Sequence, residues 1–520
     1  MKYIFLIIYT IYLILRTKKS MHMLQQNFYN TSNRYWHWIF KNKTKSFLTI
    51  DLLFFIPLII GYFINYIVMC YIIFYLIITI YYFNNLRHEQ VKLKFKITSR
   101  VKRMFITFII IYGLMLFGIN NINELYAGII LGLFASLNNF IVYLVNIINK
   151  PIEKCVYLYY FTKAKNKIKG MPRLEIIGVT GSYGKTSSKN ILADILNVKY
   201  DTLPTPKNFN TPYGLMLTIN NHLDKFTEYM VAEMGACNTG EIKELCDFVH
   251  PKYGILTRIG VAHLETFKTE ENIQKTKFEL IESLPSDGIG VLNMDDPKQT
   301  SYKIKNNCQI RWISIENKDA DIYASNIQGS PSGMQFDVTL KENNKTYHLE
   351  TKLLGSANVY NIMAGVILAY NLGMSMEEIT KGVRNIRPIE HRLEMKKSGN
   401  LNIIDDAYNS NPVGAKMAVE TLSLMPGTKI IVTPGMIELK DKQYELNFEL
   451  GHQIADVCDH VILVGKNQTK PIYDGLMDAG YKKEKIDVID DVRLAFNIVR
   501  TYGDNTYVLL ENDLPDLFNE

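Results

Sequence analysis

A glycine-rich turn followed by Lys185 and Thr186 is the segment of the sequence that points most directly to chemistry. The run TGSYGKT (residues 180–186) joins a short apolar stretch, Leu174–Val179, to a stretch with helical periodicity. A strand, a glycine-rich turn and a helix in this order form a phosphate-binding loop. The glycines let backbone N–H groups approach phosphate oxygens, and the helix N-terminus favours negative charge. Lys185 is expected to contact the β- and γ-phosphates of a nucleotide, and the Thr186 hydroxyl to hold Mg²⁺.

The loop departs from the general phosphate-loop pattern at one position. That pattern has glycine five residues before the Gly-Lys pair, where this chain has Val179. A glycine-rich turn without a nucleotide is the alternative, but the strand before it favours phosphate binding. Further along, the strand-like run Tyr229–Glu233 ends in an acid, and His263 follows the run Tyr253–Thr257. Each of these two polar residues would be a weak indication by itself.

Composition divides the 520 residues into a membrane-like part and a soluble part. Residues 1–150 are rich in Ile, Leu, Phe and Tyr, whereas the remainder has the composition of an ordinary soluble α/β protein. The net charge of +7 does not indicate nucleic acid, because many Lys and Arg residues flank apolar segments, as expected for contact with anionic lipid. The six cysteines are scattered without a Cys-x-x-Cys pair, which argues against a zinc ribbon or a disulfide framework.

Residues 1–150 are predicted to form four or five transmembrane helices, since a crossing needs roughly 20 apolar residues. The apolar stretches are Tyr3–Leu15, Phe47–Phe83, Met104–Ile119 and Leu125–Ile148. The basic segments Arg16–Lys45 and Arg87–Arg103 are expected on the cytoplasmic side, and the loop Asn120–Glu124 outside. This predicts a multi-pass bacterial membrane protein whose residues after 150 are cytoplasmic. A cleaved signal peptide is the alternative for residues 1–20, although no small-x-small cleavage site is present.

Ten segments of the soluble part resemble the Mur ligases, in family order, and most of all the branch that adds D-alanyl-D-alanine to the muramyl tripeptide. They are TGSYGKTS (180–187), PKNFNTPYG (206–214), AEMG (232–235), AHLETF (262–267), KTKFELIESLP (275–285), VLNMDD (291–296), GSANVYNIMAG (355–365), HRLE (391–394), DDAYNSNP (405–412) and PGMIEL (434–439). Each segment is modest alone, but the ordered set, over about residues 170–465, is very specific.

The resemblance implies an α/β protein with two soluble domains. Residues 171–387 would form the central ATP-binding domain with its phosphate loop, and residues 388–520 a smaller doubly wound domain. Transmembrane helices (1–150) and a basic connector (151–170) would precede them, in place of the family's uridine-nucleotide-binding domain. The alternation of strand-like runs with helical stretches independently suggests an α/β fold. The segment Gly382–His391 is the natural hinge between the two domains.

The resemblance also implies roles for individual residues. Lys277 falls where the family has a carbamylated lysine, whose anionic carbamate would bridge magnesium; unmodified, it would be a solvated surface residue. The implied catalytic residues are Lys185, His263, Lys277 and Arg392. The implied metal ligands are Thr186, Glu233, His263 and, if carbamylated, Lys277. The implied ATP-binding residues are Gly181, Ser182, Tyr183, Gly184, Lys185, Thr186, Ser187, Asn358, Asn361, Arg392, Asp406 and Asn409.

The activity implied by the resemblance is ATP- and Mg²⁺-dependent amide formation in peptidoglycan synthesis. ATP would convert a carboxylate into an acyl phosphate, which an amine then attacks. The expected partners are ATP, a muramyl-peptide-like carboxylate, an amine such as D-alanyl-D-alanine or an amino acid, and membrane lipid, but not nucleic acid. No nucleotide-binding pattern precedes Gly178, so a lipid-linked muramyl peptide is one hypothesis for the substrate. Glu511-Asn512-Asp513 replaces a frequent Lys-Gly-Ser motif, which leaves the amine open.

Three alternatives remain at this point. An amino-acid or amide ligase could act on a lipid-linked or other carboxylate. A transport-coupled ATPase would need charges along a path through the membrane, and the apolar segments contain essentially none besides Asp51. A non-catalytic scaffold for cell-wall synthesis is disfavoured because Lys185, Glu233 and Lys277 are all intact.

Overall fold

The structure is a computed structural model that describes residues 2–88, 94–260, 264–408, 410–437 and 439–513. The chain divides into two compact units, Met1–Tyr159 and Tyr160–Glu520. The first unit is helical, and the second is built on two β-sheets.

The first unit packs its helices around an aromatic core that includes Tyr9, Tyr12, Tyr35 and Tyr75. Its helices are α1 (Lys2–Gln26), α2 (Trp36–Lys41), α3 (Lys43–Ser46), α4 (Phe55–Ile64), α5 (Ile67–His88), α6 (Ser99–Ile119), α7 (Glu124–Ser136) and α8 (Asn138–Lys169), with a π-helix at Thr31–Tyr35 and a 3₁₀ helix at Ile50–Phe54.

Among the residues that the structure describes, two helical segments, Ile67–Arg87 and Ser99–Ile119, are long and apolar enough to cross a membrane. The count rises to three if α7 and α8, which are bent by 72° relative to each other, form one crossing. It differs from the four or five crossings expected from the sequence because α1 continues from its apolar half into Arg16 and the basic residues beyond. The long apolar stretch does turn back where expected, at Asn65 with φ 58°, but its first arm, Ile50–Ile64, is short.

Asp51 lies inside this unit as the centre of a buried polar cluster. Its carboxylate accepts hydrogen bonds from Tyr12 Oη (2.5 Å), Arg16 Nε (2.9 Å), Thr49 Oγ1 (2.5 Å) and Tyr82 Oη (2.9 Å). The sequence placed Asp51 near the edge of an apolar segment and gave it no partner. In the structure it is fully paired with Arg16, as a charge in an apolar setting must be. The pair therefore gives no support to a transport path.

The second unit begins with a middle domain around a nine-stranded sheet of order β2-β3-β1-β4-β5-β6-β7-β8-β9. The strands are β1 (Glu175–Thr180), β2 (Thr202–Pro204), β3 (Tyr229–Glu233), β4 (Tyr253–Leu256), β5 (Ile289–Asn293), β6 (Gln309–Ser314), β7 (Ile322–Ser330), β8 (Gly333–Leu340) and β9 (Lys345–Thr351). The helices are α9 (Lys185–Leu196), α10 (Pro212–Asn221), α11 (Glu241–Val249), α12 (Leu264–Phe267), α13 (Glu270–Glu282), α14 (Pro297–Thr300), α15 (Ala357–Asn371) and α16 (Met376–Arg384).

Strands β1 to β7 of this sheet run parallel, and β8 and β9 add an antiparallel extension. The four central strands β3, β1, β4 and β5 are buried along almost their whole length, as strands covered by helices on both faces must be. Helices α9 and α15 share one apolar core, in which Ile191 and Ile195 accompany Ile362 and Val366. Helix α9 starts directly after β1, so the sheet fixes the position of the glycine-rich turn between them.

The C-terminal domain has a six-stranded sheet of order β10-β11-β15-β12-β13-β14, parallel except for β10. Its strands are β10 (Glu394–Ser398), β11 (Leu401–Asp406), β12 (Thr428–Thr433), β13 (His460–Val464), β14 (Ile486–Ile489) and β15 (Thr506–Glu511). Its helices are α17 (Pro412–Ser423), α18 (Gln443–Ala455), α19 (Lys470–Asp478) and α20 (Val492–Val499), with 3₁₀ helices at Lys440–Lys442 and Lys483–Lys485. Parallel strands with apolar clusters on both faces confirm the predicted doubly wound architecture.

Candidate active site

The turn between β1 and α9 has a backbone that requires glycine. Gly181 has φ +148° and Gly184 has φ +84°, both in the region that favours glycine. A Cβ atom on Gly181 would lie 1.9 Å from Thr257 Oγ1. The turn packs closely on the end of β4 and leads directly into the N-terminus of α9, the end of a helix that favours a phosphate group.

The loop that follows β4 holds the glycine-rich turn in place. Ser182 N and Tyr183 N donate to Arg258 O at 2.9 and 3.3 Å, and Ser182 Oγ donates to Gly260 O at 2.9 Å. The Tyr183 ring packs on Gly260, where a Cβ atom would be 2.1 Å from the ring. The sequence did not indicate these contacts, because they join residues about 75 positions apart.

Lys185 folds back over the turn. Its Nζ donates to Gly181 O (2.8 Å) and Ser182 O (3.0 Å). Burial lowers the pKa of Lys185, Glu233 opposes that shift, and Arg392 adds to it by repulsion. The C-terminal domain therefore brings a second positive charge into the field of the phosphate-loop lysine.

Lys277 lies in the same cavity as Lys185. The cavity has a volume of about 200 Å³. It is lined by Gly181, Ser182, Lys185, Asn210, Thr211, Gly235, Ala236, Cys237, Glu241, Phe267 and Lys277. Lys277 is only 3% exposed, so the expectation of a solvated surface lysine is wrong. Burial and, second, repulsion from Lys185 lower the pKa of Lys277 to about 7.

Glu233 ends β3 beside this cavity and is paired with Lys189, a residue that the sequence analysis missed. Lys189 Nζ lies 3.2 Å from Glu233 Oε2, and both side chains are buried. Asn210 Nδ2 donates to Glu233 Oε1 at 3.1 Å. The ion-pair distance gives Oε2 a charge partner, but the geometry makes no hydrogen bond, so this oxygen keeps a lone pair. Lys189 stands four residues after Lys185 on α9, a spacing that places both on one helix face.

A second cavity, of about 550 Å³, joins residues of the middle and C-terminal domains. It is lined by Thr186, Asn190, Ala193, Asp194, Pro204, Lys207, Asn208, Arg387, Pro388, Ile389, Glu390, His391, Arg392 and Tyr408. The Arg392 guanidinium lies 4.5 Å from the centroid of the Tyr408 ring. Thr186 and Arg392 thus share one cavity, whereas Lys185 and Lys277 share the other.

The N-terminus of α15 packs against α9 through polar side chains. Ser188 Oγ donates to Asn361 Oδ1 at 2.7 Å, and Asn361 Nδ2 donates to Asn358 Oδ1 at 3.1 Å. A Cβ atom on Gly184 would lie 3.1 Å from Asn361 Oδ1. Asn358 and Asn361 are therefore brought to the phosphate loop, and Ser187 is buried beneath it.

The sequence of the soluble part of the chain matches two known domain families. The Mur ligase middle domain matches residues 179–369, and the Mur ligase glutamate ligase domain matches residues 391–511. The chain belongs to the Mur ligase family. The predicted family and fold class are confirmed, with apolar helices before the two Mur ligase domains.

Curated relatives of this Mur ligase include two UDP-N-acetylmuramoyl-tripeptide–D-alanyl-D-alanine ligases. The protein from Bacillus subtilis (strain 168) is 32% identical over 56% of this chain and 63% of its own length. The one from Escherichia coli (strain K12) is 29% identical over 56% of this chain and 64% of its own length. The chain therefore spans a little under two thirds of each of these relatives.

Solved structures give the same likeness. The crystal structure of MurF from Acinetobacter baumannii has a TM-score of 0.60 at 26% identity, over 68% of this chain and 77% of the other. The MurF ligase from Thermotoga maritima in complex with ADP has a TM-score of 0.61 at 26% identity, over 69% and 80%. The fold of the Mur ligase domains of this chain is therefore similar to that of these MurF structures.

Asp406 lies at the carboxyl end of β11, where Glu511 of β15 stands in register with it. Leu393 N donates to Asp406 Oδ1 at 3.2 Å. Burial and, second, repulsion from Glu511 raise the pKa of Asp406 to about 7. Glu511, which the sequence of this Mur ligase indicated only as part of a departure from a motif, is buried. It accepts from Thr433 Oγ1 at 2.6 Å and from Ser410 Oγ.

Two of the predicted site residues, His263 and Asn409, lie outside the described residues. In the part of the chain that the structure describes, no group of three or more His, Cys, Asp or Glu side chains is arranged to hold a metal. The remaining candidate ligands of the Mur ligase are Thr186 and Glu233, together with Lys277 if it carries a carbamate.

Proposed function

We propose that this chain is an ATP-dependent amide ligase that acts in peptidoglycan precursor synthesis. The observation that carries the proposal is the grouping of three cations around one glycine-rich turn: Lys185 on α9, Lys277 in its cavity and Arg392 from the other domain. Converging cations of this kind stabilise the negative charge that accumulates during phosphoryl and acyl transfer.

ATP is proposed to bind with its phosphates on the turn formed by Gly181, Ser182, Tyr183 and Gly184. Lys185 would exchange its hydrogen bonds to Gly181 O and Ser182 O for bonds to phosphate oxygens, since these two carbonyl groups belong to the loop that would hold the phosphates. Asn358 and Asn361 are proposed for the adenine side, and Asp406 for the ribose side. The MurF ligase from Thermotoga maritima in complex with ADP supports nucleotide binding by this fold.

Mg²⁺ fits the residues that remain near the phosphate loop. Glu233 Oε2 is a buried carboxylate oxygen without a hydrogen-bond donor, which is a suitable ligand for a hard cation. Thr186, His263 and a carbamate on Lys277 are proposed as the other protein ligands. When bound, the metal supplies charge neutralisation for phosphate oxygens. A lysine with a pKa near 7 is half neutral at that pH, and the neutral amine is the form that can bind CO₂.

The reaction proposed for this site has two steps. A substrate carboxylate takes the γ-phosphoryl group of ATP, which yields an acyl phosphate and ADP. The amine nitrogen then attacks the acyl carbon, the bond from carbon to the phosphate oxygen breaks, and inorganic phosphate leaves as the amine loses a proton. Arg392 and Lys185 would hold the transferring phosphoryl group from two sides.

The test is phosphate release from ATP by the full chain, measured with and without a carboxylate and an amine. The ligase requires both substrates, a transport-coupled ATPase would respond to a solute, and a scaffold would release none. Lys185→Ala is expected to lower turnover at least about 10²-fold, because removing one such charge costs roughly 2.7–4 kcal/mol in activation energy. Lys243→Ala, which changes an exposed lysine paired with Asp247, is the control and should remain active. Normal amide formation by Lys185→Ala would contradict the assignment.

A membrane location with cytoplasmic Mur ligase domains is also proposed, supported by the two described helices that are long enough to cross. It makes a lipid-linked muramyl peptide the second candidate substrate beside the soluble uridine-linked form, because anchoring raises the local concentration of a membrane-bound substrate. D-Alanyl-D-alanine is the first candidate for the amine, as the names of the relatives suggest. Incubation with ATP and each carrier form decides between them, and preference for the uridine form would count against the lipid carrier.

A further inference from the structure

The first half of α8 exposes a continuous apolar stripe. Leu144, Ile147, Ile148 and Ile152 are 53%, 37%, 52% and 48% exposed. Their spacing of three or four residues places them on one face of the helix. In water such a face would be expected to pack against the protein, so its exposure requires an explanation.

The opposite face of the same helix is buried and combines four asparagines with the apolar side chains of Val142 and Val145. Asn138, Asn139, Asn146 and Asn149 are each at most 1% exposed. Their contacts are Asn138 Nδ2 to Thr17 Oγ1 (3.0 Å), Asn139 Nδ2 to Ser46 O (2.7 Å), Arg100 Nη2 to Asn146 Oδ1 (3.0 Å) and Asn149 Nδ2 to Thr107 Oγ1 (2.9 Å). A helix that buries four polar side chains while it exposes an apolar stripe has the polarity expected next to hydrocarbon.

The partners of α8 also fix its direction. Residues 146–153 of α8 contact the first three turns of α6, through Arg100, Thr107 and the 2.8 Å ion pair of Glu153 with Arg103. Asn146 Nδ2 also donates to Tyr29 O, just after α1, at 3.1 Å. Residues 138–139 contact the stretch 17–46, which belongs to the basic side of the unit. Residues 138–153 span about 22 Å of helix at 1.5 Å per residue. The polar contacts that this stretch makes with α6 nevertheless stay in the N-terminal half of α6, and α8 is bent by 72° from α7.

We infer that residues 138–155 lie in the plane of the membrane, with the stripe of Leu144, Ile147, Ile148 and Ile152 among the lipid acyl chains. The partner is the phospholipid of the leaflet next to the basic segments. Lys150 and Lys154 are exposed along the same stretch and can contact anionic head groups. The second half of the apolar stretch Leu125–Ile148 is then an interfacial helix and not part of a crossing. The inference rests on the proposed membrane location but not on the proposed chemistry.

The depth of the stripe tests the inference in the full chain, reconstituted in lipid nanodiscs after its native cysteines are replaced. Leu144→Cys, Ile148→Cys and Ile152→Cys each carry a fluorophore, and nitroxide lipids labelled near the head group or near the chain end quench it. Ile106→Cys, Ile110→Cys and Leu114→Cys on α6 form the matched series, since these positions are also exposed. The α8 positions are expected at one shallow depth, whereas the α6 positions should change by about 1.5 Å per residue.

A depth gradient along α8 would show a crossing and overturn the inference. Quenching of α6 without quenching of α8 would overturn it as well, because another protein segment or a second copy would then cover the stripe. If neither helix is quenched, the membrane location itself fails, and that outcome is separate from any loss of ligase activity. In a second arm, Lys150→Gln with Lys154→Gln should lower the preference for anionic over zwitterionic spin-labelled lipid, by on the order of five-fold per lysine. Lys345→Gln in the middle domain is the control, and an unchanged preference in the double variant would argue against head-group contact.

Discussion

The amine of Lys277 is held where its neutral form is favoured. The side chain is 3% exposed, it shares a cavity with Lys185, and its pKa is lowered from 10.5 to about 7. An ordinary lysine is almost entirely protonated at neutral pH, whereas this one is about half neutral there. Burial and the nearby charge of Lys185 thus favour the neutral amine, which is the form of Lys277 that can react with CO₂.

We expect a carbamate on Lys277 whose population rises with pH. Below the lowered pKa the ammonium form dominates and cannot react, so the carbamate should be scarce at pH 6 and abundant at pH 8. Carbon-13 NMR of the full chain with labelled CO₂ measures it. Lys277→Met should remove the signal, and Lys275→Met, an exposed lysine on the same helix, should keep it. A signal that persists in Lys277→Met would assign the carbamate elsewhere.

Lys189 and Glu233 form a buried ion pair, and we expect the loss of either charge alone to destabilise the middle domain more than the loss of both. Lys189→Met leaves a buried carboxylate without its charge partner and should destabilise the middle domain by about 3–5 kcal/mol. Adding Glu233→Gln should recover much of that loss. Urea unfolding followed by the fluorescence of Trp312, with Trp36 and Trp38 replaced by Phe, measures both variants.

The control for this pair is Lys199→Met, which breaks a partly exposed ion pair with Glu378 and should change the free energy of unfolding by less than about 1 kcal/mol. If Lys189→Met is no more destabilising than that control, the buried pair does not carry the stability assigned to it.

The sequence could identify Lys185, Glu233 and Lys277 because each stands in a recognisable motif. It could not show that Lys277 is buried or that Lys189 neutralises Glu233, since both facts depend on side chains that meet only after the sheet is formed. Glu511 was noticed only as a departure from a motif. Its hydrogen bonds to Ser410 and Thr433 depend on the register of two strands.

At the scale of elements, the turn between β1 and α9 carries a testable steric requirement. Gly181→Ala would place a methyl group 1.9 Å from Thr257 Oγ1 in a backbone region that favours glycine. We expect the loop to shift and the affinity for a fluorescent ATP analogue to fall at least about ten-fold, which is 1.4 kcal/mol. Gly503→Ala is the control, because nothing lies within 4 Å of its Cβ position. Unchanged affinity in Gly181→Ala would remove the loop from the nucleotide site.

Most elements of the two soluble domains were predictable from short apolar runs. The runs Tyr229–Glu233 and Tyr253–Thr257 fall on β3 and β4, because buried parallel strands are almost continuously apolar. The strands β7 to β9, at the antiparallel end of this sheet, were not predicted. The signal was present in β8, where Met334, Phe336, Val338 and Leu340 alternate with polar residues. The bend between α7 and α8 was missed too, because periodicity within an apolar stretch does not show where a helix changes direction.

At the scale of the whole molecule, the segment that links the two Mur ligase domains is bound to α9 through Arg387 and Asp194. In the predicted hinge Gly382–His391, Arg387 Nη2 lies 2.7 Å from Asp194 Oδ1 on α9, and Arg387 N donates to Asp194 Oδ2 at 3.0 Å. His391 and Leu393 have positive φ values of 59° and 48°, so the chain turns sharply before β10. The hinge role itself stays a prediction.

We expect Arg387→Gln to widen the range of domain positions with little effect on stability. The ion pair is largely exposed on the Arg387 side, so its loss should change the free energy of unfolding by less than about 1 kcal/mol. Electron-electron distance measurements between spin labels on α11 and α19 report the range. Arg500→Gln, an exposed arginine far along the chain, provides the comparison. A distance distribution identical to that of the unchanged chain would exclude Arg387 as a restraint.

The family was predictable at this scale because its motifs occur in a fixed order, and the matched regions 179–369 and 391–511 agree with that reading. The arrangement of the helical unit was less accessible. Asp51 and Arg16 are 35 positions apart, and their pairing depends on how four segments meet.

The strand order β10-β11-β15-β12 has a consequence for how the protein is made. Residues 506–511 insert between two strands that left the ribosome about 75 to 105 residues earlier, since β15 pairs with both β11 and β12. Until residues 506–511 emerge from the exit tunnel, β11 and β12 each have one edge whose backbone N–H and C=O groups lack hydrogen-bond partners. A nascent chain stalled before residue 506 would therefore be a target for chaperones and proteases, even with its middle domain complete.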